Sequence, residues 1–390
     1  MGSGWPLTLG MALALLAVGA LLGDLWARIR APAPRSSSRR GRPHYLLGLN
    51  YLVSHEPDQA IRELSQAVRQ ETEAVEAYLA LGNLYRESGQ TERAIDAHKS
   101  LLHRPSLSEW ERTQVLFCLA MDFKRAGFVD RAERTFREVA EREPDNVACL
   151  YGLQRIAEET GRWEDALAFQ RRIQRASRGT EPNLLAALET EWGRALATHD
   201  PERAARHFRT ALDIRPDYAP ARQGLAVSFM SKGRHAEALE QLEQAVAAPT
   251  PWATAALATL AELCEVLADD VPLATACQSI LGRDARAWRA GLYLARVQLA
   301  RGDTEQAGAT LQRVLRERPG SLAVQREVWR LLRQRGGGIE EFSAMLDTVL
   351  DDARLMDPFV CLRCGFKSAE LFARCLHCHR WNTMAEERQD

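Results

Sequence analysis

The sequence predicts an all-α chain: a superhelical array of helical hairpins, preceded by one transmembrane helix and followed by a small metal-binding ribbon. Three observations carry this expectation. An alanine recurs in a fixed setting at intervals of 33 to 38 residues. Residues 5–23 contain no charged side chain. Four of the eight cysteines fall within residues 361–378.

At 390 residues the chain is longer than one ordinary core serves, so two or more units are expected. It is 46% hydrophobic and 26% charged, with a formal net charge of −1. That balance describes a folded protein and excludes a disordered one. It carries no electrostatic footprint for nucleic acid, which is therefore not expected as a partner.

The first element is "WPLTLGMALALLAVGALLG", Trp5 to Gly23. As a helix it spans roughly 28 Å, close to the hydrocarbon thickness of a bilayer. A cleaved signal peptide would need a basic start, which "MGSG" does not supply, and a clear small-x-small cleavage site before the charges, which does not stand out. Residues 1–24 are therefore expected to be an uncleaved anchor. Arg28, Arg30, Arg35, Arg39, Arg40 and Arg42 follow the span, and no Lys or Arg precedes it. Basic flanks stay on the cytoplasmic side, which places the long C-terminal part there. Residues 25–43, with "APAPRSSSRRGRP", read as a flexible basic linker along anionic headgroups.

The repeats come next. "HEPDQA" (55–60), "GQTERA" (89–94), "GFVDRA" (127–132) and "GRWEDA" (161–166) share one register. "HDPERA" (199–204), "GRHAEA" (233–238), "DDVPLA" (269–274) and "GDTEQA" (302–307) continue it. Twelve residues before the alanine stand Gly48, Gly82, Ala120 and Ala226, and nine before it Tyr51, Tyr85, Phe123 and Phe229. Twelve after it Pro144, Pro216 and Pro319 end the second helix. This pattern resembles the tetratricopeptide repeat, two antiparallel helices per repeat, in which small residues let the helices approach and the aromatic fills the space beside them. About eight copies occupy residues 44–321. The two 38-residue spacings fit longer loops, such as 104–114. Residues 322–356 read as a degenerate closing helix pair.

The stripes Leu46/Leu47/Tyr51 and Leu81/Leu84/Tyr85 are expected in the core, while Asn50 and Asn83 could face the groove of the array. Such a groove suits peptides or proteins. No phosphate-binding Gly-rich loop, G-x-S-x-G or H-E-x-x-H is present. His98, His207 and His235 read as core or surface histidines, and no catalytic residues are expected. Cys118, Cys149, Cys264 and Cys277, scattered among apolar residues, read as small buried hydrophobes.

The clustered cysteines form two knuckles, Cys361-x2-Cys364 and Cys375-x2-Cys378. A two-residue gap turns both thiolates of a knuckle onto one ion, and two knuckles complete a tetrahedral S4 site. A reducing compartment argues against structural disulfides. Gly365 allows the tight turn, and Phe366, Phe372 and Trp381 supply the beginnings of a core. The module, residues 357–384, is expected to hold one zinc or iron ion. Zinc would be inert; iron would make it a rubredoxin-like one-electron centre. His377 and His379 read as bystanders.

Together, anchor, linker, repeats and terminal module resemble the lipopolysaccharide assembly protein B family of Gram-negative bacteria. The likeness is most specific in "YLLGLNYLVSHEPDQAI" (45–61), "LGNLYRESGQTERAI" (81–95) and "CLRCGFKSAELFARCLHCHRWNT" (361–383). It implies that Cys361, Cys364, Cys375 and Cys378 match the family's metal ligands; Leu376 stands where rubredoxin-type pairs commonly carry proline. It also implies an inner-membrane adaptor that brings the committed-step deacetylase of lipid A synthesis (LpxC) to a membrane-bound AAA+ protease (FtsH). Other lipopolysaccharide assembly proteins are implied as partners, and a homodimer is allowed. A general envelope scaffold without a role in proteolysis is the alternative, with an electron carrier behind it.

Overall fold

The computed structural model describes residues 42–70, 74–248, 252–318, 320–334 and 358–386. The expected anchor, the linker up to residue 41 and the second helix of the closing pair lie outside these residues. Among the described residues no helix is long and apolar enough to cross a membrane. They hold 17 helices and three short strands, and the chain divides into two compact units, 1–138 and 139–390.

The first unit carries α1 (Arg42–Val53), α2 (Pro57–Gln70), α3 (Val75–Glu87), α4 (Thr91–Leu102), α5 (Glu109–Arg125) and most of α6 (Val129–Arg142). Within it α1 packs on α2 and α3 on α4 as antiparallel hairpins. The second unit continues with α7 (Val147–Glu159), α8 (Trp163–Ser177), α9 (Pro182–Leu196), α10 (Pro201–Ile214), α11 (Ala219–Met230) and α12 (His235–Ala247). It ends its helices with α13 (Trp252–Leu267), α14 (Val271–Arg283), α15 (Trp288–Ala300), α16 (Thr304–Glu317) and α17 (Leu322–Gln334). Here α7/α8, α9/α10, α11/α12, α13/α14 and α15/α16 are the hairpins, and the first helices α9, α11, α13 and α15 also meet one another in order.

The turn inside a hairpin follows from the residue five before the register alanine. Gly89, Gly127, Gly161, Gly233 and Gly302 all have φ between +70° and +82°. That left-handed residue lets the next amide reach back to a carbonyl five residues earlier, as Gln90 does to Tyr85 (2.8 Å) and Arg162 to Ala157 (2.8 Å). The carbonyls of the first helix are thereby capped, and the chain reverses.

All eight register alanines are buried; seven are fully enclosed and Ala274 is 8% exposed. One turn further along the second helix a larger side chain fills the space opposite a glycine. A Cβ added at Gly48 would stand 2.6 Å from Leu64, and one at Gly82 2.4 Å from His98. Phe208, 1% exposed, is clasped between Gly193 and Gly224, where added Cβ atoms would stand 2.7 and 2.5 Å from its ring. The small residues are therefore sites of close helix approach, as the pattern predicts. The hairpin at 252–283, degenerate in sequence, packs as fully as the others: Leu257, Leu260 and Leu263 are completely buried.

Two expectations need correction. Leu81, Leu84 and Tyr85 are core residues, and Tyr51 packs against them, but Leu46 and Leu47 are 61% and 44% exposed. Leu81 is buried because it meets Ala60 and Leu64 of the preceding hairpin; no described helix precedes α1 to do the same for Leu47. The stretch 104–114 is only partly a loop. Ser108 accepts from the Glu111 amide, while the Glu111 carboxylate accepts from the Ser108 amide at 2.8 Å. This capping box starts α5 at Glu109, and the extra residues go into a 17-residue helix.

Two of the histidines, His98 and His207, pair with carboxylates of neighbouring helices. In the first unit buried His98 places Nδ1 2.5 Å from Asp122 Oδ2, and Asp122 Oδ1 accepts from Arg86 at 2.9 Å. In the second, His207 Nδ1 lies 2.8 Å from Glu189. Each buried carboxylate is thus compensated by a side chain of another helix.

Candidate metal centre

Residues 358–386 form a ribbon of three short antiparallel strands, β1 (Phe359–Cys361), β2 (Lys367–Ser368) and β3 (Met384–Glu386), in the order β2-β1-β3. Phe359 pairs with Ser368 on one side and Glu386 on the other, and Cys361 pairs with Met384. The first knuckle is the turn between β1 and β2. Gly365, at φ +72°, donates its amide to the Cys361 carbonyl at 2.9 Å, and the Cys361 amide donates to Phe366 O at 2.8 Å.

The second knuckle repeats this. The His379 amide donates to the Cys375 carbonyl at 2.9 Å, and the Cys375 amide donates to Arg380 O at 2.9 Å. Its left-handed position is filled not by glycine but by His379, at φ +54°. The turn closes with Leu376 at its exposed tip, so it does not need proline there. His379 shapes the knuckle through its backbone. His377 stacks on Phe366, with centroids 6.2 Å apart.

The sulfurs converge. Cys361 and Cys378 Sγ atoms are 3.7 Å apart, as are those of Cys364 and Cys375, and all four lie within 4.8 Å of one another. Sulfurs bonded at about 2.3 Å to one tetrahedral ion stand roughly 3.8 Å apart, so two edges already have the length such an ion needs. Among the described residues this is the cluster of metal-type ligands that could hold an ion.

Electrostatics agree. Burial works against the Cys361 thiolate, but Thr383, whose hydroxyl is 3.2 Å away, and the amides of Arg363 and Cys364 favour it and bring the thiol down to about 6. The Phe366 amide favours the Cys364 thiolate too, yet the neighbouring sulfurs of Cys361, Cys378 and Cys375 push that thiol up to about 12. Four thiolates at this spacing cannot all carry charge unaided; a bound cation removes the conflict. The donor set fits one zinc or iron ion, and four sulfurs leave a tetrahedral ion no open position.

The scattered cysteines behave oppositely. Burial pushes the thiols of Cys149 and Cys277 up to about 12 and raises those of Cys118 and Cys264. Burial keeps such thiols protonated at neutral pH, although Cys118 is only half-buried and not enclosed as expected.

The ribbon is not free-standing. Phe359, Leu371 and Met384 form its core with Cys361 and Cys375, and Trp252 and Ala255 of α13 pack against them. The Arg289 guanidinium of α15 lies 4.2 Å over the Phe359 ring and 3.3 Å from the Glu386 carboxylate, which also accepts from Thr254 at 2.5 Å. At the other edge Arg374 meets Glu158 of α7 at 3.1 Å, both nearly buried. Burial raises the Glu158 carboxyl despite Arg374, Gln154 and the Trp381 indole, which favour the carboxylate. Trp381 does not serve the ribbon's own core as expected. It packs between the repeats, against groups that include Ala186 and Tyr218, and Ala157 and Leu188.

Sequence reading finds the four cysteines and misses this docking. Its one trace is Arg374, a cation that follows the apolar run Leu371 to Ala373 between the knuckles.

Comparison with known proteins agrees with this architecture. Family models described as tetratricopeptide repeat match residues 45–106, 119–180, 195–263 and 289–321. A model described as rubredoxin metal binding domain matches residues 359–386. A tetratricopeptide repeat protein of Parabacteroides merdae, 14% identical, covers 75% of this chain and 98% of its own at a TM-score of 0.37, a loose likeness. Lipopolysaccharide assembly protein B of Haemophilus influenzae is 24% identical over 87% of this chain and 88% of its own. The same-named protein of Escherichia coli K12 is 26% identical over 374 residues, 95% of this chain and 96% of its own. From repeats to ribbon, over almost all of its length, the chain is similar to lipopolysaccharide assembly protein B.

Proposed function

We propose that this chain is a non-enzymatic adaptor in lipopolysaccharide assembly, held at the inner membrane by residues 5–23 with its repeats and ribbon in the cytoplasm. Likeness to lipopolysaccharide assembly protein B along 95% of the chain is the observation that carries the reading. The charge-free stretch before six arginines supports the anchor and its orientation. The stacked first helices of the second unit, with the ribbon docked on them, supply a protein-binding face.

Its work in this reading is to bring the lipid A deacetylase to the membrane AAA+ protease, matching lipopolysaccharide output to need. Anchoring confines adaptor and protease to one plane and raises their effective concentration without high affinity. The ion holds the ribbon's shape and takes no part in bond making.

The test is the half-life of the deacetylase after protein synthesis is blocked, with the chain present and depleted. The adaptor reading expects a much longer half-life on depletion. An unchanged half-life leaves a scaffold for assembly complexes and removes the proteolytic role.

A further inference from the structure

Between the first helices of the second unit and the ribbon lies a cavity of about 740 Å³, within the size range of ligand sites. Its floor is made by small residues of three successive first helices: Ala195 of α9, Gly224 of α11, and Ala255 and Ala258 of α13. The ribbon supplies the opposite wall with Leu371 and Phe372. Val227, 47% exposed, adds an apolar side chain that the fold leaves uncovered.

The charges in this cavity are unequal in their commitments. Arg194 pairs with Glu191 at 2.8 Å, and Arg289 with Glu386 at 3.3 Å. Glu262 of α13 and Glu370 of the ribbon also line the cavity, both exposed, and neither has an ion-pair partner among the described residues. The site therefore offers apolar surface with two uncompensated carboxylates, one from each wall. On the floor, Gln223 donates to Thr259 at 2.9 Å, which leaves the Gln223 amide oxygen able to accept from a peptide N–H.

We propose that this cavity binds a segment of a partner protein in which apolar side chains flank lysine or arginine. The apolar residues lie against Val227, Leu371 and Phe372, and the cation meets Glu262 and Glu370. A phosphate-bearing lipid fits poorly, because both guanidiniums are already paired. The small floor residues admit a backbone rather than a bulky headgroup. The inference rests on the adaptor reading only in taking this face for partner use.

The test uses the purified full chain in phosphatidylcholine nanodiscs and fluorescence anisotropy of a labelled peptide alternating leucine with lysine. Counterparts carry glutamate for lysine, or serine for leucine. Far-UV circular dichroism and metal content confirm that each variant is folded. The lysine–leucine peptide should bind, and both counterparts should bind about tenfold more weakly or worse. Glu262→Gln with Glu370→Gln should weaken it by a similar factor, and Ala258→Trp, at an exposed floor position, should block it by filling the cavity. Equal binding of the glutamate peptide, undiminished binding to the double variant or to Ala258→Trp, or equal signal from empty nanodiscs, overturns the proposal. The deacetylase half-life is independent of this readout, so either reading can fail alone.

Discussion

Cysteine has opposite fates in the two parts of this molecule. In the repeats, Cys149 and Cys277 are fully buried among apolar side chains and their thiols rise to about 12. In the ribbon, Cys361 is just as buried by its neighbours, yet Thr383 and two amides bring it down to about 6. The repeats use sulfur as volume; the ribbon uses it as charge. The difference reflects how each part is held together. A hairpin buries its apolar face on the next, so stability accumulates by packing. The ribbon spans 29 described residues with a handful of core side chains, too few to stand alone. It leans on an ion within and on repeats outside.

The largest effect that sharpens this contrast is loss of a ligand. Cys375→Ser should release the ion and with it free energy on the order of 10 kcal/mol that folds the ribbon. Metal analysis should show loss of the ion, and limited proteolysis should cut within 358–386, while far-UV circular dichroism stays close to that of the parent chain. A comparable loss of helical signal would erase the distinction between the parts.

Packing loss in the repeats comes next. Phe208→Ala empties the space between Gly193 and Gly224 and should cost about 3–5 kcal/mol in urea unfolding, with the ion retained in the native state.

Per pH unit, the alkaline response of a single buried thiol is smaller. The folded chain holds the proton of Cys277 up to about 12 against the ordinary 9.0. Its contribution to stability is therefore complete below pH 9 and lost as pH rises from 9 toward 12, by about 1.4 kcal/mol per pH unit. Unfolding midpoints of the parent chain and Cys277→Ala, compared across that range, should show the slope in the parent and its reduction in the variant.

The smallest effect is a gain. His379 holds a left-handed backbone that Gly365 adopts without cost in the other knuckle. His379→Gly should stabilise the ribbon by at most about 1 kcal/mol, seen as slower metal loss to a chelator.

What the sequence reveals and what it hides divide along the same line. Ala60 through Ala307, the glycine five residues before most of them, and the paired knuckles are local rules repeated at fixed spacing, and each is visible in one dimension. The exposure of Leu46 and Leu47 depends on what precedes α1, and the start of α5 on a single Ser108–Glu111 exchange. Docking of the ribbon is the least legible. Arg374 meets Glu158 and Glu386 meets Arg289 across long separations, and Trp381 finds its partners on distant hairpins. No periodicity encodes such contacts; only the stacking of the hairpins brings them together.

Hydrogen–deuterium exchange of the full chain before and after removal of the ion tests this division most directly. The account predicts that protection collapses in 358–386 and falls on the docking helices α7, α13 and α15, while α3 and α4 exchange as before. Unchanged protection in the ribbon, or a uniform loss across all helices, would contradict it.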